Sequence, residues 1–133
     1  MKKLILLSLV MSFSALAGPN EDKCNQLTVQ GRALIKENKM TEAGPVLEQA
    51  VEVCDKSDVK DIVAYIDLVQ YYFTVKKYPE SIAVSKRALV KAPGLQITYM
   101  NLCAAEMQMN NFDAAIAACK SGLESKNPKN RPN

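Results

Sequence analysis

Four cysteines have the most obvious chemistry in this chain: Cys24, Cys54, Cys103 and Cys119. A thiol can act as a nucleophile, ligate a metal or form a disulfide. The sequence has neither the Cys-x-x-Cys motif of thioredoxin-type redox sites nor the paired spacing of common zinc sites. An even number of cysteines favours structural disulfides, provided that the chain is exported to an oxidising compartment. Redox or metal chemistry at these cysteines is the alternative.

Histidine is absent from the sequence. The usual general acid or base near neutral pH, the commonest metal ligand and the usual partner of a Ser or Cys nucleophile are therefore missing. Carboxylates such as Asp58, Asp61 and Glu80 are scattered, and no spacing isolates a catalytic pair. The sequence also has no Gly-rich phosphate loop, nucleophile elbow or metal motif. We therefore expect a protein that is not an enzyme and that uses no cofactor and no metal.

The first 17 residues have the three parts of a secretory signal peptide. Lys2 and Lys3 form a basic region, residues 4–13 form an apolar region, and Ala-Leu-Ala at 15–17 is a typical cleavage site. An uncleaved membrane anchor is the alternative, but the apolar run is shorter than the roughly 20 residues that span a bilayer. We expect cleavage after Ala17 and a periplasmic or secreted mature chain.

The composition is that of a globular protein, with 48% hydrophobic and 23% charged residues. The formal charge of +3 includes Lys2 and Lys3, so the mature chain is close to neutral. Such a small charge does not indicate binding to nucleic acid or to an anionic membrane surface. We expect no nucleic-acid partner, and no membrane insertion after signal cleavage.

Beyond the leader, the spacing of apolar residues is helical throughout. Proline is best tolerated in the first turn of a helix, so Pro45 suggests that the second helix begins nearer Gly44. Residues 126–133 are polar and contain two prolines, which predicts a flexible tail. The pattern predicts six helices, at about 24–37, 41–54, 60–75, 79–91, 96–109 and 112–125.

The six predicted helices form three pairs, and the pattern repeats at a spacing of 34 residues. Matching residues include Tyr65 and Tyr99, Leu68 and Leu102, and Ala88 and Gly122. This helix–turn–helix unit resembles the tetratricopeptide repeat, with an aromatic at the fourth position, Leu at the seventh and small residues near the eighth, twentieth and twenty-seventh. The resemblance gives repeats at about 24–57, 62–95 and 96–129. It implies an all-α fold: a right-handed α-solenoid of three repeats in a single domain, 18–125.

Three features depart from the family's pattern. Ser81 stands where a small Ala is usual, and Glu106 stands at an aromatic position. The first repeat carries Gly44-Pro45 inside the expected start of its second helix.

The resemblance also implies a binding surface, because the first helix of each tetratricopeptide repeat lines a concave groove. This groove is expected to be basic at one end and apolar in its middle and far end. Thr28, Asp67 and Ile97 stand where family members that clamp a terminal carboxylate have Lys, Asn and Arg, so such a clamp is not expected. The expected partner-binding residues are Arg32, Ile35, Lys36, Val63, Ile66, Gln70, Phe73, Ile97, Met100 and Met107.

The repeat register places each cysteine. Cys24 and Cys54 are at positions one and thirty-one of the first repeat, and Cys103 and Cys119 are at positions eight and twenty-four of the third. Each pair is symmetric about the turn of an antiparallel helical hairpin, so its two members lie level with each other. We predict a Cys24–Cys54 disulfide at the open end of the first hairpin and a Cys103–Cys119 disulfide across the middle of the third.

Together these features suggest an exported protein–protein interaction module, acting as an adaptor, chaperone or scaffold of an envelope or secretion complex. Its groove would bind a segment of another protein or a peptide. One alternative is a homo-oligomeric structural subunit that assembles through its uncapped third repeat, and another is a thiol-active protein. It also stays open whether the tail or a second copy of the chain covers the groove.

Overall fold

The computed structural model describes residues 18–58 and 62–125. Within these ranges the chain has no strand and forms six helices: α1 (Pro19–Lys36), α2 (Met40–Asp55), α3 (Val63–Thr74), α4 (Tyr78–Lys91), α5 (Gln96–Gln108) and α6 (Phe112–Ser125). The leader predicted for 1–17 and the tail predicted for 126–133 lie outside the described residues. None of the described helices has the length and hydrophobicity that crossing a membrane requires.

The helices form three antiparallel hairpins, α1–α2, α3–α4 and α5–α6, stacked in chain order. The second helix of one hairpin packs against the first helix of the next, so α2 contacts α3 and α4 contacts α5. One buried cluster spans the first two hairpins, with Leu47, Tyr65 and Leu68 at its centre, and a smaller cluster lies around Leu102 and Cys103. The predicted α-solenoid of three helical hairpins is confirmed.

Small side chains occupy the places where helices approach most closely. These residues, at positions twenty and twenty-seven of the repeats, are buried in every hairpin: Ala43, Ser81, Ala115, Ala50, Ala88 and Gly122. Ser81 is accommodated because its hydroxyl donates a hydrogen bond of 3.2 Å to the carbonyl of Val69. Glu106 is also buried, and its carboxylate accepts a 2.7 Å hydrogen bond from the side-chain amide of Asn111. The departures at Ser81 and Glu106 are therefore both satisfied by polar partners.

The turn inside each hairpin contains one residue with positive φ, always at position fifteen of its repeat. These residues are Asn38 (φ 59°), Lys76 (φ 62°) and Asn110 (φ 58°). Asparagine tolerates this left-handed conformation better than most residues, whereas lysine has no such advantage. The second hairpin therefore carries a local backbone cost that the other two avoid.

Three predicted helix starts are wrong. Helix α3 begins at Val63 rather than at 60. Helix α1 begins at Pro19 rather than at 24, because proline suits a first helical position and Glu21 and Asp22 stabilise the positive end of the helix dipole. Helix α2 begins at Met40 and contains Pro45 in its interior. Pro45 has no N–H for the carbonyl of Thr41, but Thr41 is exposed, so water can satisfy that oxygen.

Both predicted disulfides are present. Cys24 pairs with Cys54 across a Cα–Cα distance of 4.9 Å, and Cys103 pairs with Cys119 across 5.3 Å. They enclose sequence separations of 30 and 16 residues, each within a single hairpin. No cysteine of the described residues is free.

Candidate functional site: the concave surface of the first helices

Helices α1, α3 and α5 lie side by side and form one surface, and polar contacts recur between neighbours. Arg32 of α1 donates to Asp67 of α3, with Nε to Oδ2 at 2.6 Å and Nη2 to Oδ1 at 3.2 Å. Gln70 of α3 donates from Nε2 to Oδ1 of Asn101 in α5, at 3.2 Å. In both cases position nine of one repeat contacts position six of the next, so these pairs hold the first helices in a fixed row.

The ion pair changes the electrostatics expected of this surface. Arg32 was predicted to make one end of the groove basic, but its guanidinium is bound side-on by Asp67, whose side chain is mostly buried. Two parallel hydrogen bonds give this pair a defined geometry. The positive charge of Arg32 is therefore balanced locally, and Lys36 remains as the predicted cation at that end.

Two open depressions lie where the first repeat meets the second. One has a volume of about 290 Å³ and is lined by residues of α1, among them Thr28 and Arg32, together with Val63 and Ala64. The other, of about 260 Å³, is lined by Arg32, Ile35, Lys36 and Asp67. Four of the predicted groove residues, Arg32, Ile35, Lys36 and Val63, therefore line these two depressions.

The middle of the surface is less available than the sequence suggested. Ile66 is half-buried and packs against the core of the first two hairpins. Phe73 is also half-buried, and its ring meets Tyr78 edge to face at a centroid distance of 5.3 Å. Gln70 is exposed but engaged with Asn101. These three residues stabilise the second hairpin and its junctions as well as contributing to the surface.

The third repeat contributes exposed apolar side chains. Ile97, Met100 and Met107 are between 41% and 52% exposed, although nothing in their chemistry favours contact with water. Met100 also touches its own hairpin, because a β-carbon built at Gly122 would lie 3.2 Å from its sulfur. The far end of the surface is therefore apolar, as predicted, and two of its three side chains are flexible methionines.

Asp67 and Asn101 are the site residues that the sequence-based list omitted. Both are at position six; Asp67 was considered only as a departure from a carboxylate clamp, and neither residue was among the expected partner-binding residues. A signal was present: position nine of one repeat and position six of the next carry complementary polar side chains at both junctions, Arg32 with Asp67 and Gln70 with Asn101. This pairing of positions nine and six can be recognised only once the stacking geometry is known.

A second polar cluster, away from this surface, ties three helices together. The hydroxyl of Tyr65 and the guanidinium of Arg87 both donate to the carboxylate of Asp55. Burial acts to raise the pKa of Asp55, but these two hydrogen bonds and the Arg87 charge outweigh it and lower the pKa below its usual value. Burial and the bond to Asp55 raise the pKa of Tyr65. Asp55 therefore serves as an acceptor that joins α2, α3 and α4.

No protein-family model and no curated protein sequence matches this chain. Solved structures do match in fold. The first tetratricopeptide domain of Spaghetti (RPAP3), bound to the HSP90 peptide SRMEEVD, has a TM-score of 0.69 and 19% identity, over 83% of this chain and 82% of that one. The second such domain, bound to the same peptide, has a TM-score of 0.69 and 14% identity, over 81% and 90%.

A third similar structure is the Hsp90 co-chaperone Cns1 from Saccharomyces cerevisiae, with a TM-score of 0.73 and 21% identity. The match covers 86% of this chain and 36% of Cns1. At these identities the likeness concerns the fold alone. The chain has the tetratricopeptide-repeat fold that its repeat pattern predicted.

Proposed function

We propose that this protein is an exported interaction module whose concave surface binds an extended or helical segment of a partner protein. The observation that carries the proposal is the row formed by α1, α3 and α5. This row presents exposed Ile97, Met100 and Met107 at one end and open depressions at the other. Tetratricopeptide domains of similar fold bind a peptide of HSP90, which supports a peptide or protein partner.

The size of the depressions favours a chain segment over a small molecule. Pockets that enclose drug-sized ligands have volumes of about 300–1,000 Å³ and bury most of the ligand. The two depressions here, at about 290 and 260 Å³, are open and separate. Each suits one or two side chains of a longer segment that continues across the surface.

The side chains of the surface indicate the chemistry of that segment. Ile97, Met100 and Met107 favour apolar side chains opposite the third repeat, and methionine adapts to partners of varied shape. Near the first repeat, Lys36 suits a single acid or a carbonyl group. Asp67 disfavours a cluster of acids there, because its carboxylate lies beside Arg32 in the same depression. We therefore propose a mainly apolar segment bound through its side chains, without a requirement for a free C-terminal carboxylate.

Export is part of the proposal and is supported by the sequence of residues 1–17. Cleavage after Ala17 would release the chain into the periplasm or the medium, where an oxidising environment suits two disulfides. N-terminal sequencing of the protein from a periplasmic fraction tests this step. We expect the sequence to begin at Gly18, and a start at Met1 in the membrane fraction would contradict it.

Binding can be tested with defined peptides. Peptides selected from a random display library on the oxidised protein are measured by calorimetry against the wild type, Met107→Asp and Val90→Asp. Met107 lies on the proposed surface, and Val90, which is 85% exposed on α4, is the matched control outside it. We expect Met107→Asp to weaken binding about tenfold or more, because a buried methionine contact is lost, and Val90→Asp to change it by less than about twofold.

Two results would contradict the proposal. Equal weakening by both substitutions would move the binding site away from the concave surface. Loss of binding when the peptide's C-terminus is amidated would show that the terminal carboxylate is required.

A further inference from the structure

The outer face of α6 carries a stripe of exposed apolar side chains. Phe112, Ile116 and Leu123 are between 54% and 64% exposed. Their spacings of four and seven residues place them on one side of the helix. Half-buried Cys119 lies in the same row. We call Phe112, Ile116, Cys119 and Leu123 the α6 stripe.

In the first two hairpins, the residues equivalent to Ile116 and Leu123 are covered by the next hairpin. Ile82 and Leu89 of α4 stand where Ile116 and Leu123 stand in α6, and both pack against the core of the third hairpin. In α2, the equivalent of Leu123 is Val51, which is fully buried. The α6 stripe is therefore built like a surface that accepts another helix, and no helix of the described residues covers it.

The eight residues that follow α6 do not suit this role. Residues 126–133 read KNPKNRPN and contain no apolar side chain other than two prolines. A segment of this composition offers nothing to fill the spaces between Phe112, Ile116 and Leu123.

The opposite end of the stack is mostly polar, although Val29 of α1 is 68% exposed there. Gln26 and Gln30 of α1 are exposed. The equivalent residues in α3, Ala64 and Leu68, are buried under the preceding hairpin. If copies stacked head to tail, the α6 stripe would bury these two amide side chains against apolar atoms, which is unfavourable unless each finds a hydrogen-bond partner. Pairing of one α6 stripe with another buries apolar surface against apolar surface. Because both copies use the same surface, assembly ends at a dimer.

Charges beside the stripe favour one relative orientation of two such helices. Asp113 and Lys120 are seven residues apart and lie along the same edge of the stripe. An antiparallel pairing places Phe112 level with Leu123 of the second copy. It then brings Asp113 of each copy close to Lys120 of the other, so that two opposite-charge pairs form across the two-fold axis, with exposed Glu124 one turn beyond Lys120 on the same edge.

We propose that two copies of this chain associate through an antiparallel pairing of their α6 stripes. The two concave surfaces stay outside this interface, so each dimer presents two partner-binding surfaces in a fixed relation. A repeated or dimeric partner would then bind both surfaces of one dimer at once, and its overall affinity would exceed its affinity for a single surface.

Charge reversal tests the proposal most sharply. Oxidised protein, produced from its full-length sequence, is examined by sedimentation equilibrium over a range of concentrations. We expect a monomer–dimer equilibrium, in which Asp113→Lys alone or Lys120→Asp alone raises the dissociation constant about tenfold or more. The double variant Asp113→Lys/Lys120→Asp recovers most of the loss, because the antiparallel pairs are restored with exchanged charges.

Two further variants separate this interface from the rest of the surface. Ile116→Asp is expected to abolish the dimer, and Val90→Asp, equally polar and also on an exposed face, is expected to leave it unchanged. Met107→Asp is expected to stay dimeric even if it loses peptide binding, so the two proposals can fail independently. Circular dichroism confirms that each variant is folded.

A wild-type protein that stays monomeric at all concentrations would overturn the proposal. So would oligomers that grow without limit, since these indicate head-to-tail stacking. If the double variant Asp113→Lys/Lys120→Asp dimerises no more tightly than the single variants, the antiparallel arrangement is overturned.

Discussion

Gly44 and Tyr71 make a close contact between the first and second hairpins, and this contact provides a sharp test of the packing. Gly44 lies in α2, and the ring of Tyr71 in α3 covers it. A β-carbon built at Gly44 would lie 2.8 Å from Cε1 of Tyr71, and closer still to Cζ and the hydroxyl oxygen. The ring must therefore move if Gly44 becomes any other residue.

The substitution Gly44→Ala has two opposing effects on the free energy of unfolding. Alanine in a helix is favoured over glycine by about 1 kcal/mol. Overpacking of a well-packed site costs about 1–3 kcal/mol. In the wild-type background we expect a net loss of up to about 2 kcal/mol. In a Tyr71→Ala background the overlap is gone, and Gly44→Ala is expected to stabilise the protein by about 1 kcal/mol.

Urea denaturation of the four proteins in this double-mutant cycle measures the coupling directly. The expected coupling energy between the two sites is about 1–3 kcal/mol, which is the overpacking contribution alone. If Gly44→Ala has the same effect in both backgrounds, the glycine is not required by the Tyr71 ring and the packing described for this junction is wrong.

Three further predictions concern the disulfide, the turn and the acid response. Cys103→Ser/Cys119→Ser is expected to lower the free energy of unfolding by about 3 kcal/mol, because the 16-residue separation is no longer closed in the unfolded chain; urea denaturation against the oxidised wild type measures this. Lys76→Asn is expected to raise stability by about 0.5–1 kcal/mol, because asparagine tolerates positive φ, whereas Lys76→Gln, which has no such tolerance, is the control that should not. The lowered pKa of folded Asp55 predicts stability that is present above its unfolded pKa of about 3.9 and is lost as the pH falls through the folded value. Asp55→Asn should flatten that part of the acid denaturation profile, and an unchanged profile would contradict this role.

The sequence predicted the hairpins and both disulfides because these features depend on periodicity within a single repeat. The 34-residue spacing fixes which residues lie level across a hairpin, and that is enough to pair Cys24 with Cys54. The start of α1 was missed because the sequence before Cys24 is polar and carries no apolar period. Its helix depends on Pro19 and the acidic first turn.

It was harder to predict which residues of the concave surface are engaged by neighbouring side chains, because this depends on contacts made in the folded stack. Arg32 reads as an exposed cation in the sequence, and only the stacking of α1 beside α3 brings Asp67 to within 2.6 Å of it. Phe73 likewise reads as a surface aromatic, but its ring is held by Tyr78 across the hairpin. The chemical types of the surface residues were predictable, but their engagement with neighbours in the fold was not.

The placement of the two disulfides also determines how the chain would carry a mechanical load. Each covalent ring is closed within one end hairpin, and the middle hairpin contains none. A pull between the two ends of the oxidised chain can straighten the middle hairpin but cannot draw out the 30- and 16-residue segments inside the rings. At about 3.3–3.6 Å per extended residue, these segments withhold roughly 15 nm of contour length. The oxidised protein would therefore act as a short tether that extends through its middle hairpin, and reduction of the disulfides would increase its extended length.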